Sequence, residues 1–222
     1  MLFLNRLNSF VLKKLKLILN RDIIMYSDWS YGLIKVVNEK RNILLQSETL
    51  AVIRDSFPKA TFHFLVIPFD DDLDTIYDLN DGHLDLIDEF ELLGINVVEA
   101  TGNKVENFAF GFHAKPSMRR LHLHVVSKDF NSQCLKHKKH WNSFNTDFLV
   151  PVEKVRNELK SHGHVQQLSD ETLQKLINTP LKCNTCSYIP KHMPDLKKHL
   201  ITHLPNYIDK NSSFLSLFEK NG

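Results

Sequence analysis

Two sets of side chains in this sequence have the types and spacing for chemistry. The first is Cys183-x2-Cys186-x12-His199-x3-His203. Two soft thiolates on a knuckle and two imidazoles at i and i+4, hence on one helical face, suit tetrahedral Zn²⁺, and a redox C-x-x-C pair has no need of the histidines that follow. One structural Zn²⁺ is therefore expected, in a ββα-like C2H2 finger with Leu196 in its small core. Pro190 stands where an aromatic is usual, so Tyr188 or Ile189 is expected to supply that packing. The second set is Leu121-His122-Leu123-His124-Val125-Val126. On a strand, alternation puts both imidazoles on one face and Leu121, Leu123 and Val125 on the other. One strand histidine is more often structural. Two on one face, with His113 and His63 on other expected strands, can combine a neutral nucleophile with a protonated acid. Metal binding by these four is the weaker reading, because no Cys or carboxylate at ligand spacing joins them.

The elements that must carry these groups follow from apolar periodicity. Residues 29–37 form a short amphipathic segment, 43–45 and 50–53 read as strands joined by a turn, and His63–Pro68 is an apolar strand ended by proline. Leu84, Ile87, Phe90, Leu93, Val97 and Val98 recur at helical spacing, with Asp81 expected as N-cap. Phe108–His113 and 121–127 are two further strands, and helices are expected over 152–159 and 169–177. The order strands, helix, strands favours an α+β domain with a mostly antiparallel sheet. No Gly-rich phosphate loop is present, which excludes P-loop and dinucleotide-binding readings.

At 222 residues and 42% hydrophobic content, the chain has room for one full domain and a small module. Beyond the C-x2-C pair only Cys134 remains, so a disulfide framework is excluded and Cys134 reads as a small buried hydrophobe. The net charge of +2 hides an asymmetry. Residues 70–91 hold ten acids and no Lys or Arg, leaving 28 basic against 16 acidic residues elsewhere. A polyanion partner fits that balance, although solvated faces of mixed sign would also explain it. The first 21 residues carry Arg6, Lys13, Lys14, Lys16 and Arg21 without an acid. They resemble a mitochondrial presequence, with apolar runs too interrupted for a signal peptide or a membrane span, and Met25 is an alternative start. No stable membrane association is expected.

The residues now on the page resemble a known family, the histidine-triad nucleotide hydrolases, and within it the branch that acts on DNA adenylates. The resemblance runs from about Trp29 to His203, through 54–59, His63–Pro68, 111–118, 121–130 and 135–146. Residues 138–146 are particular to that branch. The chain departs from the family's His-φ-His-φ-His pattern in having Arg120 where the first histidine belongs. The resemblance implies a histidine-triad fold followed by the finger. Its domains would be an extension over 1–25, targeting or unstructured, a catalytic domain over 26–150, a helical bridge over 151–180, the finger over 181–207 and a tail over 208–222. It is read as a form without a forkhead-associated domain.

What the resemblance implies for chemistry is removal of AMP from 5'-adenylated DNA ends, nicked or double-stranded, by a DNA repair hydrolase. His122 is the expected nucleophile, forming a histidyl-AMP intermediate, and His113 the general acid for the DNA phosphate that leaves. His124, Ser117 and Lys136 are the expected donors to phosphoryl oxygens, Asp55 the acceptor for ribose hydroxyls, and His63 an orienting group. Lys136, Lys138, Lys139, Lys197 and Lys198 are the expected DNA contacts. One finger alone covers about three base pairs, so it should assist a neighbouring domain. Catalysis is expected to need no metal, guanosine caps on 3' ends are a further substrate to be considered, and a nuclear location with a mitochondrial pool fits the N-terminus. The alternatives are a phosphoramidase or dinucleotide hydrolase for small nucleotides, and a non-catalytic DNA-end binder.

Overall fold

The computed structural model describes residues 32, 33, 36, 42–70 and 72–206. The expectations for 1–25, Met25, Asp71, the tail over 208–222 and most of the 29–37 segment lie outside the described residues.

Six strands form one sheet: β1 (Leu45–Gln46), β2 (Leu50–Arg54), β3 (His63–Pro68), β4 (Phe108–His113), β5 (Leu123–Ser127) and β6 (Leu149–Pro151), in the order β1-β2-β3-β5-β4-β6. Every pairing is antiparallel, as expected of an α+β domain with this element order. The long helix α1 (Leu84–Ala100) covers one face. Its Ile87, Phe90, Leu93, Val97 and Val98 pack with Phe64 and Val66 of β3, Phe112 of β4 and Leu123 and Val125 of β5. Gly94 makes that approach possible, because a Cβ there would sit 2.8 Å from the Phe110 ring and 3.0 Å from Val125. Asp81 does not cap α1. It lies in a 3-10 turn (Asp81–His83) whose cap is Asn80, with its side chain accepting from the Gly82 amide, and α1 begins only after that turn.

Period-two alternation then decides where the imidazoles go. His63 pairs with Val126, Leu65 with His124 and Gly111 with His124, so His63, His124 and, two residues beyond Gly111, His113 share the face that α1 does not cover. Gly111 must be small, since a Cβ would meet Leu149 at 2.7 Å and the Val150 carbonyl at 2.9 Å where β6 closes the sheet.

On that face lie α2 (Lys138–Asn145) and the C-terminal module, while α3 (Val152–His162) and α4 (Asp170–Asn178) bridge the two. Trp141 and Phe144 of α2 join Val126, Phe130, Leu135 and Leu149 and continue without a break into Leu181, Cys183, Met193, Leu196 and Leu200. The module is thus seated on the sheet by one apolar cluster. Asn142 fixes α2 to the end of α4, donating to the carbonyls of Ile177 and Thr179, each at 2.7 Å. No described helix is long and apolar enough to cross a membrane.

Candidate active site and metal centre

His122 lies just ahead of β5, and His63, His124 and His122 are buried to within 4% of full enclosure. Their hydrogen bonds determine which ring nitrogen of each carries hydrogen. The Lys59 amide donates to His63 Nδ1 at 3.1 Å, so that nitrogen is an acceptor and Nε2 bears the hydrogen. His63 Nε2 lies 3.0 Å from His124 Nδ1, which therefore accepts, and the hydrogen of His124 is on Nε2. That Nε2 is buried with no partner among the described residues. The result is a directional chain that starts at a main-chain amide and ends in an unspent N–H. His122 is set separately. Its Nδ1 donates to the Arg120 carbonyl at 2.8 Å, leaving Nε2 with a free lone pair.

Burial governs the charge state of the cluster. Desolvation lowers His63 to about 4 against an opposing pull from Asp55, whose Oδ2 is 3.3 Å from Nδ1. Desolvation also lowers His113 to about 3, with His122, His63 and Lys59 adding to it, and holds His124 well below the ordinary imidazole range. His122 is lowered by the same cause, partly offset by the Arg120 carbonyl and Asp55. The nucleophile-compatible neutral form of His122 is thus favoured. Burial likewise favours the neutral form of His113 in the free protein. His113 bonds the Ser143 backbone, and its buried Nε2 has no partner among the described residues. An anionic ligand beside it would favour its charged form.

These depressed values have a sign for stability. The unfolded chain takes up protons on its histidines below about pH 6.5 while the folded site refuses them, so stability is full above that pH and declines as pH falls towards the folded values. Thermal unfolding followed from pH 7 to pH 4.5 should show a midpoint dropping steeply below about pH 6.5. A flat profile over that range would mean the imidazoles are solvated and the cluster is not as described.

Several side chains fall around this cluster. Asp55 follows β2 and accepts from the Phe57 amide at 2.7 Å through Oδ1. Phe144 of α2 packs its ring against His63, His113 and His124, with centroids 4.7 to 5.3 Å apart. Ser117 stays exposed on the loop four residues after His113, and Lys136 is exposed just ahead of α2 with its amide on His140 Nδ1 at 3.3 Å. Lys59 and Phe144 carry no role in the sequence reading. The 54–59 motif was legible, but Lys59 gains its place from a turn that folds its amide and charge back onto His63. The expected DNA lysines divide. Lys139 and Lys198 are exposed and Lys197 half-buried, whereas Lys138 Nζ is bonded to the Asn178 carbonyl at 2.7 Å, tying α2 to α4.

The second cluster brings Cys183, Cys186, His199 and His203 together with all ligand atoms within 4.8 Å of one another. Cys186 Sγ and His203 Nε2 are 3.2 and 3.1 Å from His199 Nε2. Separations of that size fit four donors on one tetrahedral Zn²⁺. The knuckle closes through the Cys183 amide on the Tyr188 carbonyl at 3.0 Å and the Thr185 amide on Cys183 Sγ at 3.4 Å, and it has no strand assignment. The ββα-like expectation is thus reduced to a turn and a helix, α5 (Met193–Leu200), whose His192 cap accepts from the Asp195 amide. Tyr188 stacks on the His199 ring at 4.0 Å, its hydroxyl donating to Asp195 Oδ1 at 2.9 Å, while Ile189 is 73% exposed and packs nothing. Zinc bound there would hold the knuckle to α5.

Comparison with known proteins fits both centres. Residues 28–140 match the histidine-triad family described as "Scavenger mRNA decapping enzyme C-term binding", half of the chain. The chain belongs to this histidine-triad family. Residues 145–206 match the "C2HE / C2H2 / C2HC zinc-binding finger". Among histidine-triad relatives, the chain is 47% identical to an aprataxin-like protein of Drosophila melanogaster over 79% of its own length and 26% of the relative's. It is 37% identical to aprataxin of Danio rerio over 80% of its own length and 54% of the relative's. The chain therefore spans between about a quarter and about half of these relatives. In fold it is similar to the aprataxin ortholog Hnt3 from Schizosaccharomyces pombe, at TM-score 0.63 and 24% identity over 87% of this chain and 97% of the other. The same ortholog solved in complex with DNA gives TM-score 0.67 over 84% of this histidine-triad chain and 100% of the other.

Proposed function

We propose that the chain is a DNA repair hydrolase that removes AMP from 5'-adenylated DNA ends. The observation that carries this is the pairing of His122, whose main-chain bond frees Nε2 for attack, with the unspent N–H of His124, on the sheet face that also holds the finger. In this reading His122 Nε2 attacks the AMP phosphorus, a P–N bond forms and the P–O bond to the DNA 5'-phosphate breaks. His124 Nε2–H donates to a phosphoryl oxygen, with Ser117 and Lys136 as further donors. Asp55 receives the ribose hydroxyls, and His63 holds His124 in the donating tautomer. The pyrophosphate charge raises His113, which then hands its proton to the leaving phosphate. Water next attacks phosphorus, the P–N bond breaks, and AMP leaves with His122 restored. Zinc has no part in these steps: its role is to hold the finger.

The relatives carry names that agree. Several are aprataxins, and Hnt3 has been solved with DNA and with DNA and guanosine. Removal of guanosine from 3' ends by the same site is part of the proposal, as are a nuclear location and a mitochondrial pool. Offering adenylated nicked DNA and a nucleoside phosphoramidate side by side is the test. Turnover of DNA adenylate supports the reading; turnover of the phosphoramidate alone makes the chain a small-nucleotide hydrolase, and binding without turnover makes it a DNA-end binder.

The lysines divide the same way. Binding to adenylated DNA should weaken with salt as phosphate-bound counterions are released, and Lys139→Ala should raise KM for DNA more than for the small substrate. Lys138→Ala should instead lower the unfolding temperature, because its ammonium secures the end of α4. Equal KM effects of Lys139→Ala on both substrates would remove this surface from the DNA path.

A further inference from the structure

Arg120 stands in the structure as an unusual residue. Its side chain is 1% exposed, yet no carboxylate among the described residues pairs with its guanidinium. Nη1 instead lies 3.2, 2.9 and 2.9 Å from the carbonyls of Pro68, Phe69 and Asp70, the segment that leaves β3. Its own amide donates to Asp74 Oδ1 at 3.0 Å, and the next amide, of Leu121, donates to the Leu73 carbonyl at 2.8 Å. The backbone at Arg120 has φ 77, a left-handed conformation that side chains with a Cβ rarely adopt and that surrounding contacts must hold. From that held position its carbonyl takes the His122 Nδ1–H.

We propose that Arg120 is a positioning residue for His122: its guanidinium fastens the loop after β3 to the start of β5, and the carbonyl so fixed selects the tautomer and aim of the attacking ring. Nη1 has two hydrogens to share among the three carbonyls and reaches them from the end of a long stem, which the shorter histidine side chain lacks. The arginine is therefore a different way of fastening the same carbonyl. Without it, the left-handed residue relaxes, the carbonyl turns, and Nε2 of His122 loses its fixed lone pair. This rests on the proposed role of His122 as nucleophile, but the tautomer can be read without any turnover.

The test uses the full chain carrying Arg120→Met, which keeps stem volume and removes the donors, Arg120→Lys, which restores some of them, and Asp74→Ala, which frees the Arg120 amide at an accessible site. In wild type, ¹⁵N spectra of labelled histidine should report His122 as a single Nδ1–H tautomer. Arg120→Met should mix the two tautomers and lower kcat on adenylated DNA by about tenfold to a hundredfold with KM little changed, because a small misaim is costly in an in-line displacement. Arg120→Lys should recover part of both, and Asp74→Ala should show the same changes at smaller size. If Arg120→Met does not fold, the lysine and Asp74 variants decide. Wild-type kcat together with an unmixed His122 tautomer in the folded variants overturns the proposal. A wild type without hydrolysis but with the tautomer shift in the variants would overturn the hydrolase reading and leave the positioning role standing.

Discussion

His122→Ala is expected to lower release of AMP from adenylated DNA by at least about 10⁴-fold, on the scale that removal of a covalent nucleophile produces in other hydrolases. DNA binding should persist, since the exposed Lys136, Lys139 and Lys198 are untouched. The variant leaves one buried carbonyl, that of Arg120, without its donor, at a cost of about 1–3 kcal/mol. A thermal melt beside the assay therefore separates loss of chemistry from loss of fold. Label on the AMP phosphate should be trapped on the wild-type protein as an acid-labile adduct and not on the variant. His113→Ala should slow turnover less when the leaving group is a good one, because such a group needs little protonation. AMP release by His122→Ala at near wild-type rates would assign the nucleophile elsewhere.

Loss of zinc should have the second large effect, and it should reach further than the finger. Cys183 is 3% exposed within the same apolar cluster as Trp141 and Phe144, and Phe144 packs on three of the imidazoles. Removing a ligand by Cys183→Ser or His199→Ala costs several kcal/mol in a structural zinc module. For a chain of this size about 2–4 °C is lost per kcal/mol, so the unfolding midpoint of the whole protein should fall by roughly 10 °C. An independent finger would predict weaker DNA binding with turnover of a small phosphoramidate unchanged. The shared cluster predicts that turnover of the small substrate declines as well. Metal analysis should give one zinc per chain in wild type and none in the variants. Zinc retained by both variants would refute the ligand assignment, and unchanged small-substrate turnover would refute the coupling.

The parts of this site legible from sequence were those written in periodicity and ligand spacing. Alternation along Leu121–His124 foretold one face for His122 and His124, and the C-x2-C and H-x3-H spacings foretold the metal cluster. Strand residues report their own faces, so β3 and β4 were placed with their histidines. What remained hidden depends on contacts between segments distant in the chain. That Lys138 bonds the end of α4 follows from Asn178, forty residues on. That Arg120 reaches the end of β3 follows from strand pairing across more than fifty residues. The burial that lowers His113 was hidden for the same reason, since burial is a property of the assembled site and not of any motif.

The chain from the Lys59 amide through His63 to His124 has a polarity, like a row of dipoles laid head to tail, and its first member belongs to the main chain. An amide cannot be titrated or re-oriented by exchanging its side chain. Substitutions at Lys59 other than proline should therefore alter the charge near the site and leave its hydrogen facing outward from His124, so the donor ready for a phosphate is as durable as the turn that precedes β3.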